Sequence, residues 1–392
     1  MNDLEVILQL WRELESAGAE YVLATIVGVE GSSYRKPGTH MLLAQDGRRA
    51  GTVSGGCLEA EVARRAWWLT AAGPVVESYS TADDDGDRPY GSGCGGVVHL
   101  LLERKQTARP LLEALDATFD ARIPLGIATV LEGAHIGKRA FAGLPGGSTA
   151  KPPSSAGTLN VAGEPELADL AMKALQRKTA RETRLALHGA ETRVWSNRCE
   201  ARTGLWICSA GDDAKPMARL ARELGWFVAV LDGRLNLATR ARFPEAHEVR
   251  RVAMEELAAA RTTQVSVLPT DAVVVMTHSF EQDSHFLASV LALKTPPAYT
   301  GVLGPQRRTR ELLIEAARLL GVPANSSRID RWLAGLHAPT GLDLGADTPA
   351  AIALAILAEI QKVTAGASAL PLREVRDAVQ PIGCPPGHNG SR

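Results

Sequence analysis

Apolar and polar residues alternate at helical spacing from the start of the chain. One face of the first segment carries Leu4, Ile7, Leu8 and Trp11, with acidic residues between them. This spacing predicts an amphipathic helix. The acidic residues argue against a secretory signal peptide, and no apolar run approaches the ~20 residues that a membrane-spanning helix needs. We therefore expect a cytoplasmic protein without a membrane segment.

The first half of the chain then changes from helical to strand-like patterns. Residues 20–31 predict a strand with a glycine-rich exit, and residues 39–56 predict two strands joined at Asp46-Gly47, a strong hairpin signal. Further strands are expected at 75–79, 97–104 and 126–131, and helices at 57–70 and 107–119. Helices and strands mixed without regular βαβ order predict an α+β domain.

From residue 205 the predicted strands and helices follow each other in regular order. Short buried strands (LWICS, WFVAVLD, DAVVVM, YTGVL) alternate with amphipathic helices of ten to fifteen residues. This order predicts βαβ units and a Rossmann-like, doubly wound parallel sheet, so the fold class is α/β.

The change to regular alternation places the domain boundary. We predict an N-terminal domain over residues 1–202, in which the Gly-, Pro- and Ser-rich stretch 143–157 is an exposed loop or insertion. The C-terminal domain spans 203–366, and the tail 367–392 is expected to be disordered.

Charge and cysteine content narrow the function. The chain holds 43 Lys and Arg against 44 Asp and Glu, so it lacks the excess of positive charge that nucleic-acid and polybasic membrane-surface binders need. Its five cysteines form no CxxC pair. An odd number of separated cysteines predicts free thiols in a reducing compartment, and their spacing falls short of a metal cage.

Three turns of the first domain share an unusual composition. They are EGSSYRKPG at residues 30–38, SGGC at 54–57 and SGCGG at 92–96. Glycines let backbone N–H groups approach a ligand closely, and successive N–H groups form anion-binding concavities. Arg35 could add a bidentate phosphate contact, and Cys57 at a helix start would have its thiolate favoured by the helix dipole.

Each of these turns also has a plainer interpretation. The 30–38 segment could be only a strand-to-strand turn, and Cys57 or Cys94 could be small packed residues, as free cysteines usually are. Three such turns within one domain nevertheless favour a site for an anionic, sulfur-seeking ligand.

The second domain carries an incomplete dinucleotide fingerprint. SAGDDA at residues 209–214 lies between a predicted strand and helix, where GxGxxG/A is expected, and Asp232 ends the next strand. Ser209 replaces the first glycine, Gly211 keeps the second, and the two following acids would cap the helix where a pyrophosphate would bind. His278 follows another strand at its carboxyl end. The loop therefore predicts either a Rossmann-like fold kept for its shape or a nucleotide site.

Taken together, these segments resemble the xanthine dehydrogenase accessory factor (XdhC/CoxI) family. In the first domain the similar stretches are GSSYRKPGTHML, GTVSGGCLEAEV and GCGGVVHLLLE; in the second they include LWICSAGDDAKPMARLARELGWFVAVLDGR, DAVVVMTHSFEQD and LHAPTGLDLGADTPAAIALAILAEI. The resemblance covers residues 20–363. Where the family has a G-A-G run followed by His, this chain has Ser209 to Asp212.

The resemblance implies a maturation factor that binds molybdenum cofactor, as molybdopterin or its nucleotide form. Such a factor supports sulfuration of the cofactor by a cysteine desulfurase and delivers it to an apo molybdenum hydroxylase of the xanthine dehydrogenase, CO dehydrogenase or aldehyde oxidoreductase type. By position, Cys57 is the candidate contact to molybdenum or its sulfur. The other candidate cofactor-binding residues are Ser32, Ser33, Arg35, Ser54, Gly55, Gly56 and Cys94, with Gly211, Asp232 and His278 in the second domain.

Three functional hypotheses follow. The first is a cofactor chaperone without turnover of its own, and the second is an NAD(P)-dependent oxidoreductase that uses the second domain. The third is a scaffold that joins a client enzyme to a sulfurtransferase. The oligomeric state stays open, with a homodimer among the states that the sequence allows.

Overall fold

The computed structural model describes residues 3–31, 33–56, 58–80, 96–143, 164–177, 179–187, 189–253 and 267–375. The chain divides into two compact units: Met1–Gly204 with Ala221–Phe227, and Leu205–Leu220 with Val228–Arg392. Among the described residues, no helix combines the length and apolar character that crossing a membrane requires.

In its described residues, the first unit holds two antiparallel sheets and four α-helices. Its helices are α1 (Asp3–Ser16), α2 (Glu59–Leu69), α3 (Lys105–Ala121) and α4 (Pro165–Gln176). Its strands are β1 (Tyr21–Glu30), β2 (His40–Ala44), β3 (Arg49–Gly51), β4 (Val75–Ser80), β5 (Val97–Arg104), β6 (Leu125–Val130), β7 (Arg139–Ala142), β8 (Arg181–Leu187) and β9 (Ala190–Cys199). The predicted α+β character of this half is confirmed.

The five-stranded sheet has the order β3-β2-β1-β5-β4. The predicted hairpin at Asp46-Gly47 is present, because Leu42 of β2 pairs with Ala50 of β3 in antiparallel register. β1 is buried on both faces. Tyr21 and Leu23 pack with α1 and α3, whereas the alternate residues Val22, Ala24 and Ile26 pack with α2. Period-two packing onto two covered faces explains why β1 is an almost unbroken apolar run.

The four-stranded sheet has the order β7-β6-β9-β8 and packs against α4. Gly126 of β6 allows this close packing. A Cβ at this position would lie 2.2 Å from the carbonyl oxygen of Ala171 in α4. The second sheet therefore has its own apolar core beside the first.

The second unit is a parallel α/β fold. Its strands are β10 (Gly204–Cys208), β11 (Phe227–Asp232), β12 (Glu248–Arg251), β13 (Ala272–Val275) and β14 (Tyr299–Val302). Its helices are α5 (Ala214–Glu223), α6 (Phe280–Leu291), α7 (Gln306–Leu319), α8 (Ser327–Gly335), α9 (Pro349–Ala365) and α10 (Leu372–Val375). The strand order β12-β11-β10-β13-β14 reverses direction at β10, which is the doubly wound arrangement predicted from the sequence.

Two local predictions differ from the structure. Helix α2 begins at Glu59, two residues after Cys57. Helix α10 forms a single turn inside the tail 367–392, for which the sequence predicted disorder. Residues 376–392 of that tail, and residues 144–157 of the predicted insertion, lie outside the described residues.

Candidate functional site

The strands next to the three glycine-rich segments end or begin at the same edge of the five-stranded sheet. β1 ends at Glu30, which pairs with Val97 at the start of β5, and Val97 pairs in turn with Ser80 at the end of β4. On the other side of β1, Met41 near the start of β2 pairs with Gly51 at the end of β3. The 30–38 and 54–57 turns therefore leave the sheet at this edge, where β4 also ends and β5 begins. Ser32, Cys57, Cys94 and the remainder of 81–95 lie outside the described residues.

Two of the turns are in contact. The ring of Tyr34 lies 3.9 Å from the position that a Cβ on Gly55 would occupy. Arg35 donates to Thr52 Oγ1 at 2.5 Å and forms an ion pair of 2.8 Å with Asp3 of α1. Tyr34 and Gly55 are thus neighbours, and the adjacent Arg35 contacts Thr52 before the second turn, while Ser33 is half-buried; that these residues share a ligand site stays a prediction.

Ser54 is the centre of the second turn. Its Oγ accepts the N–H groups of Gly56 and Leu58, both at 3.1 Å. Its hydroxyl donates to Glu59 at 2.6 Å. Gly56 has a φ of 119°, which favours glycine. The backbone on both sides of position 57 is therefore tied to a single side-chain oxygen.

Glu59 supplies a buried negative charge to this turn. Its carboxylate accepts the N–H groups of Val53 at 3.1 Å and of Ser54 at 2.8 Å, in addition to the Ser54 hydroxyl. Burial acts to raise the pKa of this carboxyl, but the hydrogen bonds outweigh it and the pKa lies below its usual range. Four N–H groups of the turn thus already have internal acceptors, so the turn is less open to an outside anion than its glycines suggested.

The described cysteines have no reactive character. Burial, with a smaller contribution from Glu200, raises the pKa of Cys199 to about 11. Burial also raises the pKa of Cys208. Neither thiol is poised to form a thiolate at neutral pH, so both provide reference cysteines for experiments on Cys57.

The same sheet edge holds a histidine that sequence reasoning missed. His99 lies on β5 with its Nδ1 2.8 Å from Ser78 Oγ and its Nε2 3.1 Å from Glu30. A polar residue inside the apolar run VVHLLLER was the available signal. Glu59 was also missed, and its signal was an acid five residues after Ser54 at a helix start.

The loop after β10 in the second unit is also internally bonded. Ala210 N–H donates to the buried carboxylate of Asp232 at 2.7 Å, and Gly211 N–H donates to Ser209 Oγ at 3.1 Å. Asp232 also accepts from the backbone and guanidinium of Arg234. Burial acts to raise the pKa of Asp232, but the bonds from Arg234 and Ala210 lower it overall. Its oxygens are already engaged where a ribose hydroxyl would bind.

The two acids that follow do not cap helix α5 as the sequence predicted. Asp212 instead pairs with Lys215 at 2.7 Å and Arg242 at 2.9 Å. The Oδ1 atom of Asp213 is buried and has no hydrogen-bond partner. Exposed His278 approaches the other oxygen of Asp213, with 3.5 Å between Nε2 and Oδ2. Gly211, Asp232 and His278 are thus brought to one end of the parallel sheet.

Comparisons with known proteins agree with this architecture. Residues 14–80 match the family model described as XdhC and CoxI family, and residues 205–360 match the model described as XdhC Rossmann domain. The chain is 29% identical over 356 residues to a probable xanthine dehydrogenase subunit of Bacillus subtilis (strain 168), covering 87% of this chain and 92% of that protein.

Two further similarities involve a chaperone and a solved structure. Over 135 residues the chain is 33% identical to the molybdenum cofactor insertion chaperone PaoD of Escherichia coli (strain K12), covering 32% of this chain and 39% of that protein. A crystal structure described as a xanthine dehydrogenase from Bacillus halodurans superimposes with a TM-score of 0.66 at 26% identity, covering 97% of this chain and 98% of that one. The order of two sheets and a Rossmann unit, together with both family matches, shows that the chain belongs to the XdhC and CoxI family.

Proposed function

We propose that the protein is a maturation factor that binds molybdenum cofactor for insertion into an enzyme of the xanthine dehydrogenase type. The observation that carries the proposal is that residues 33–38 and 52–56 leave the five-stranded sheet at one edge, where Ser54 fixes the backbone on both sides of position 57. Its chemical context comes from the relative named as a molybdenum cofactor insertion chaperone.

The residues present at this edge fit such a group. When bound, the cofactor supplies a phosphate and a thiophilic molybdenum centre. The Arg35 side chain, held by Thr52 and Asp3, is 31% exposed, and a guanidinium fork matches phosphate geometry. Cys57 provides a soft sulfur ligand of the kind that such a metal prefers. Ser32, Ser33, Gly55 and Gly56 are proposed to complete the phosphate and pterin contacts, with Cys94 as a further candidate.

The chain's own contribution is to fix the backbone on both sides of position 57. Gly56 and Leu58, its two neighbours, donate to the same Ser54 oxygen, and Glu59 fixes Ser54 in turn. Because a buried carboxylate already fixes this turn, its backbone need not become ordered when a ligand binds. This lowers the entropic cost of association.

The finer steps are part of the proposal. We propose that the protein supports sulfuration of the cofactor by a cysteine desulfurase and then delivers it to an apo molybdenum hydroxylase. The Bacillus subtilis relative, named as a probable part of a xanthine dehydrogenase, supports a client of this type. In this account the protein binds and transfers the cofactor and catalyses no turnover itself.

The oxidoreductase alternative has weaker support. A pyrophosphate at the start of α5 would meet the carboxylate of Asp213, and Asp232 is already bonded to Ala210 and Arg234. The second unit therefore keeps the strand order of a dinucleotide fold while its first loop is poorly suited to two phosphates.

The test is the cofactor content of protein purified under reducing conditions from a host that makes molybdenum cofactor. Molybdenum is measured by elemental analysis, and pterin by fluorescence after oxidative release. We expect the wild type to carry both, Cys57→Ala to lose most of both, and the matched control Cys199→Ala to retain them. The proposal is wrong if the wild type carries neither. Equal retention by Cys57→Ala and Cys199→Ala would instead remove Cys57 from the site.

A further inference from the structure

A broad groove crosses the first unit where α3 begins. Its larger part has a volume of about 910 Å³ and lies between the loop 70–74, which follows α2, and the first turns of α3. A smaller part of about 460 Å³ shares the lining residues Gly73 and Thr107 and continues to Lys138. None of the residues assigned to the candidate cofactor site lines this groove, so its charges are not explained by that site.

Cationic side chains outnumber acidic ones along the groove. The charged residues that line it are Arg104, Lys105, Arg109 and Lys138, together with Glu20 and Glu113. Two of the cations already have acidic partners, because Lys105 lies 3.6 Å from Glu15 and Arg109 lies 2.9 Å from Glu113. Both acids of the lining belong to the larger part, so the smaller part is cationic.

Arg104 is held in place by neutral groups. Its Nε donates to Thr70 Oγ1 at 3.1 Å and its Nη2 to the carbonyl oxygen of Trp67 at 2.6 Å, while its Cζ lies 5.8 Å from the centroid of the Trp67 ring. These contacts fix the guanidinium without neutralising it. In the part of the chain that the structure describes, neither Arg104 nor Lys138 has a carboxylate within ion-pair distance. A fixed cation without a counter-charge loses little entropy when it binds an anion.

The size and charge of the groove favour an acidic polypeptide over other anions. Cavities for small molecules measure about 300–1,000 Å³, whereas here a part of about 460 Å³ adjoins one of about 910 Å³. A nucleic acid needs a larger excess of positive charge than this chain has, since its net charge is −1. Carboxylates match the fork of an arginine, and an extended segment can place several of them along the groove.

We propose that the groove binds an acidic segment of a partner protein, with carboxylates of that segment on Arg104 and Lys138. The proposal does not depend on the proposed function, because the groove and the candidate cofactor site have no residue in common.

The experiment is fluorescence anisotropy of the full chain with a short labelled peptide of alternating Asp and Glu at neutral pH. The same peptide built from Asn and Gln is the uncharged control, and inorganic phosphate and single-stranded DNA are added as competitors. Arg104→Gln and Lys138→Gln remove the two cations. Because Arg104 is bonded to its neighbours, circular dichroism checks the fold of that variant, and Lys138→Gln provides a test without such bonds. Lys173→Gln, at an exposed ion pair with Asp169 on α4, is the matched protein control.

We expect the acidic peptide to bind the wild type with an affinity that falls as salt rises, and the uncharged peptide not to bind. Arg104→Gln should weaken binding about tenfold, as the loss of a hydrogen bond to a charged group does. Lys138→Gln should weaken it about threefold, as the loss of an exposed ion pair does, and Lys173→Gln should match the wild type.

The proposal is overturned if the acidic peptide does not bind, if the uncharged peptide binds equally well, or if Lys138→Gln and Lys173→Gln have the same affinity. Displacement of the peptide by an equal concentration of phosphate would assign the groove to a small anion instead. Tighter binding of the DNA than of the peptide would assign it to a nucleic acid, and either result would likewise overturn the proposal.

Discussion

Two loops of this protein use the same local bonds in different folds. In the first sheet Ser54 Oγ accepts Gly56 N–H at 3.1 Å, and in the second unit Ser209 Oγ accepts Gly211 N–H at 3.1 Å. In each case a buried carboxylate, Glu59 or Asp232, accepts a backbone N–H of the loop. A Ser-x-Gly turn closed by an internal carboxylate is therefore a way to fix a loop, and it does not by itself make an anion site.

The residues that follow each loop determine which ligands the loop could bind. After the first loop comes Cys57 in the sequence, and the neighbouring turn carries Arg35, which is held by Thr52 and Asp3. After the second come two acids, of which Asp213 has an unsatisfied oxygen. We therefore propose the first loop, and not the second, as the site of an anionic, thiophilic ligand.

The largest expected effect comes from removing the carboxylate of the first loop. Glu59→Ala leaves the N–H groups of Val53 and Ser54 and the Ser54 hydroxyl without their acceptor. We expect the free energy of unfolding of the first unit to fall by about 3–5 kcal/mol. Urea denaturation followed by circular dichroism measures it. Glu13→Ala, at an exposed ion pair with Arg48, is the control and should leave the midpoint unchanged; a similar midpoint for both variants would contradict the role of Glu59.

Removing the two carboxylates at the second loop, Asp232 and Asp213, should have different effects on stability. Asp232→Ala removes the acceptor of Ala210 N–H and the partner of Arg234, so we expect a loss of about 3 kcal/mol. Asp213→Ala removes an oxygen that has no hydrogen bond, so thermal denaturation should show little change or a gain in stability. If Asp213→Ala cost as much as Asp232→Ala, the hydrogen bonds of Asp232 would not be the cause of its larger effect.

A smaller loss of stability is expected when the pH is lowered, and it comes from His40 in β2 of the first sheet. Burial, with a smaller contribution from the charge of Arg139, lowers the pKa of His40 from 6.5 to about 4. Between these values the unfolded chain binds a proton at His40 that the folded chain does not, so stability is present above pH 6.5 and is lost as pH falls towards 4. Between pH 7 and 5 the loss should be about 2 kcal/mol. Urea denaturation at both values of pH should show a weaker dependence in His40→Gln; identical pH dependence would exclude His40 as the cause.

The sequence allowed the strands, the hairpin and the parallel order of the second unit to be predicted, because periodicity and turn residues are local signals. The bonds of Glu59 and Asp232 were not predictable in the same way. Each bond depends on which backbone N–H groups the fold brings to a carboxylate. Glu59 and its partner Ser54 are five residues apart in the sequence, and Asp232 and its partner Ala210 are twenty-two apart. The later start of α2 has a similar cause, since Leu58 N–H bonds to Ser54 before the helix begins.

The capping prediction for the second loop was wrong for a comparable reason. Asp212 has local preference for a helix N-terminus, but Lys215 and Arg242 offer it charged partners. Arg242 lies thirty residues further along the chain, where no local pattern reveals it. Local rules identified the residues at both loops, and tertiary partners determined what those residues do.

The most direct test compares the two matched serines. The molybdenum content of Ser54→Ala and Ser209→Ala is measured after purification from a host that makes the cofactor, on protein shown to be folded by circular dichroism. Because only the first loop is proposed to hold the cofactor, Ser54→Ala should lose most of its molybdenum and Ser209→Ala should match the wild type. Equal retention by the two variants, or a larger loss in Ser209→Ala, would contradict the account.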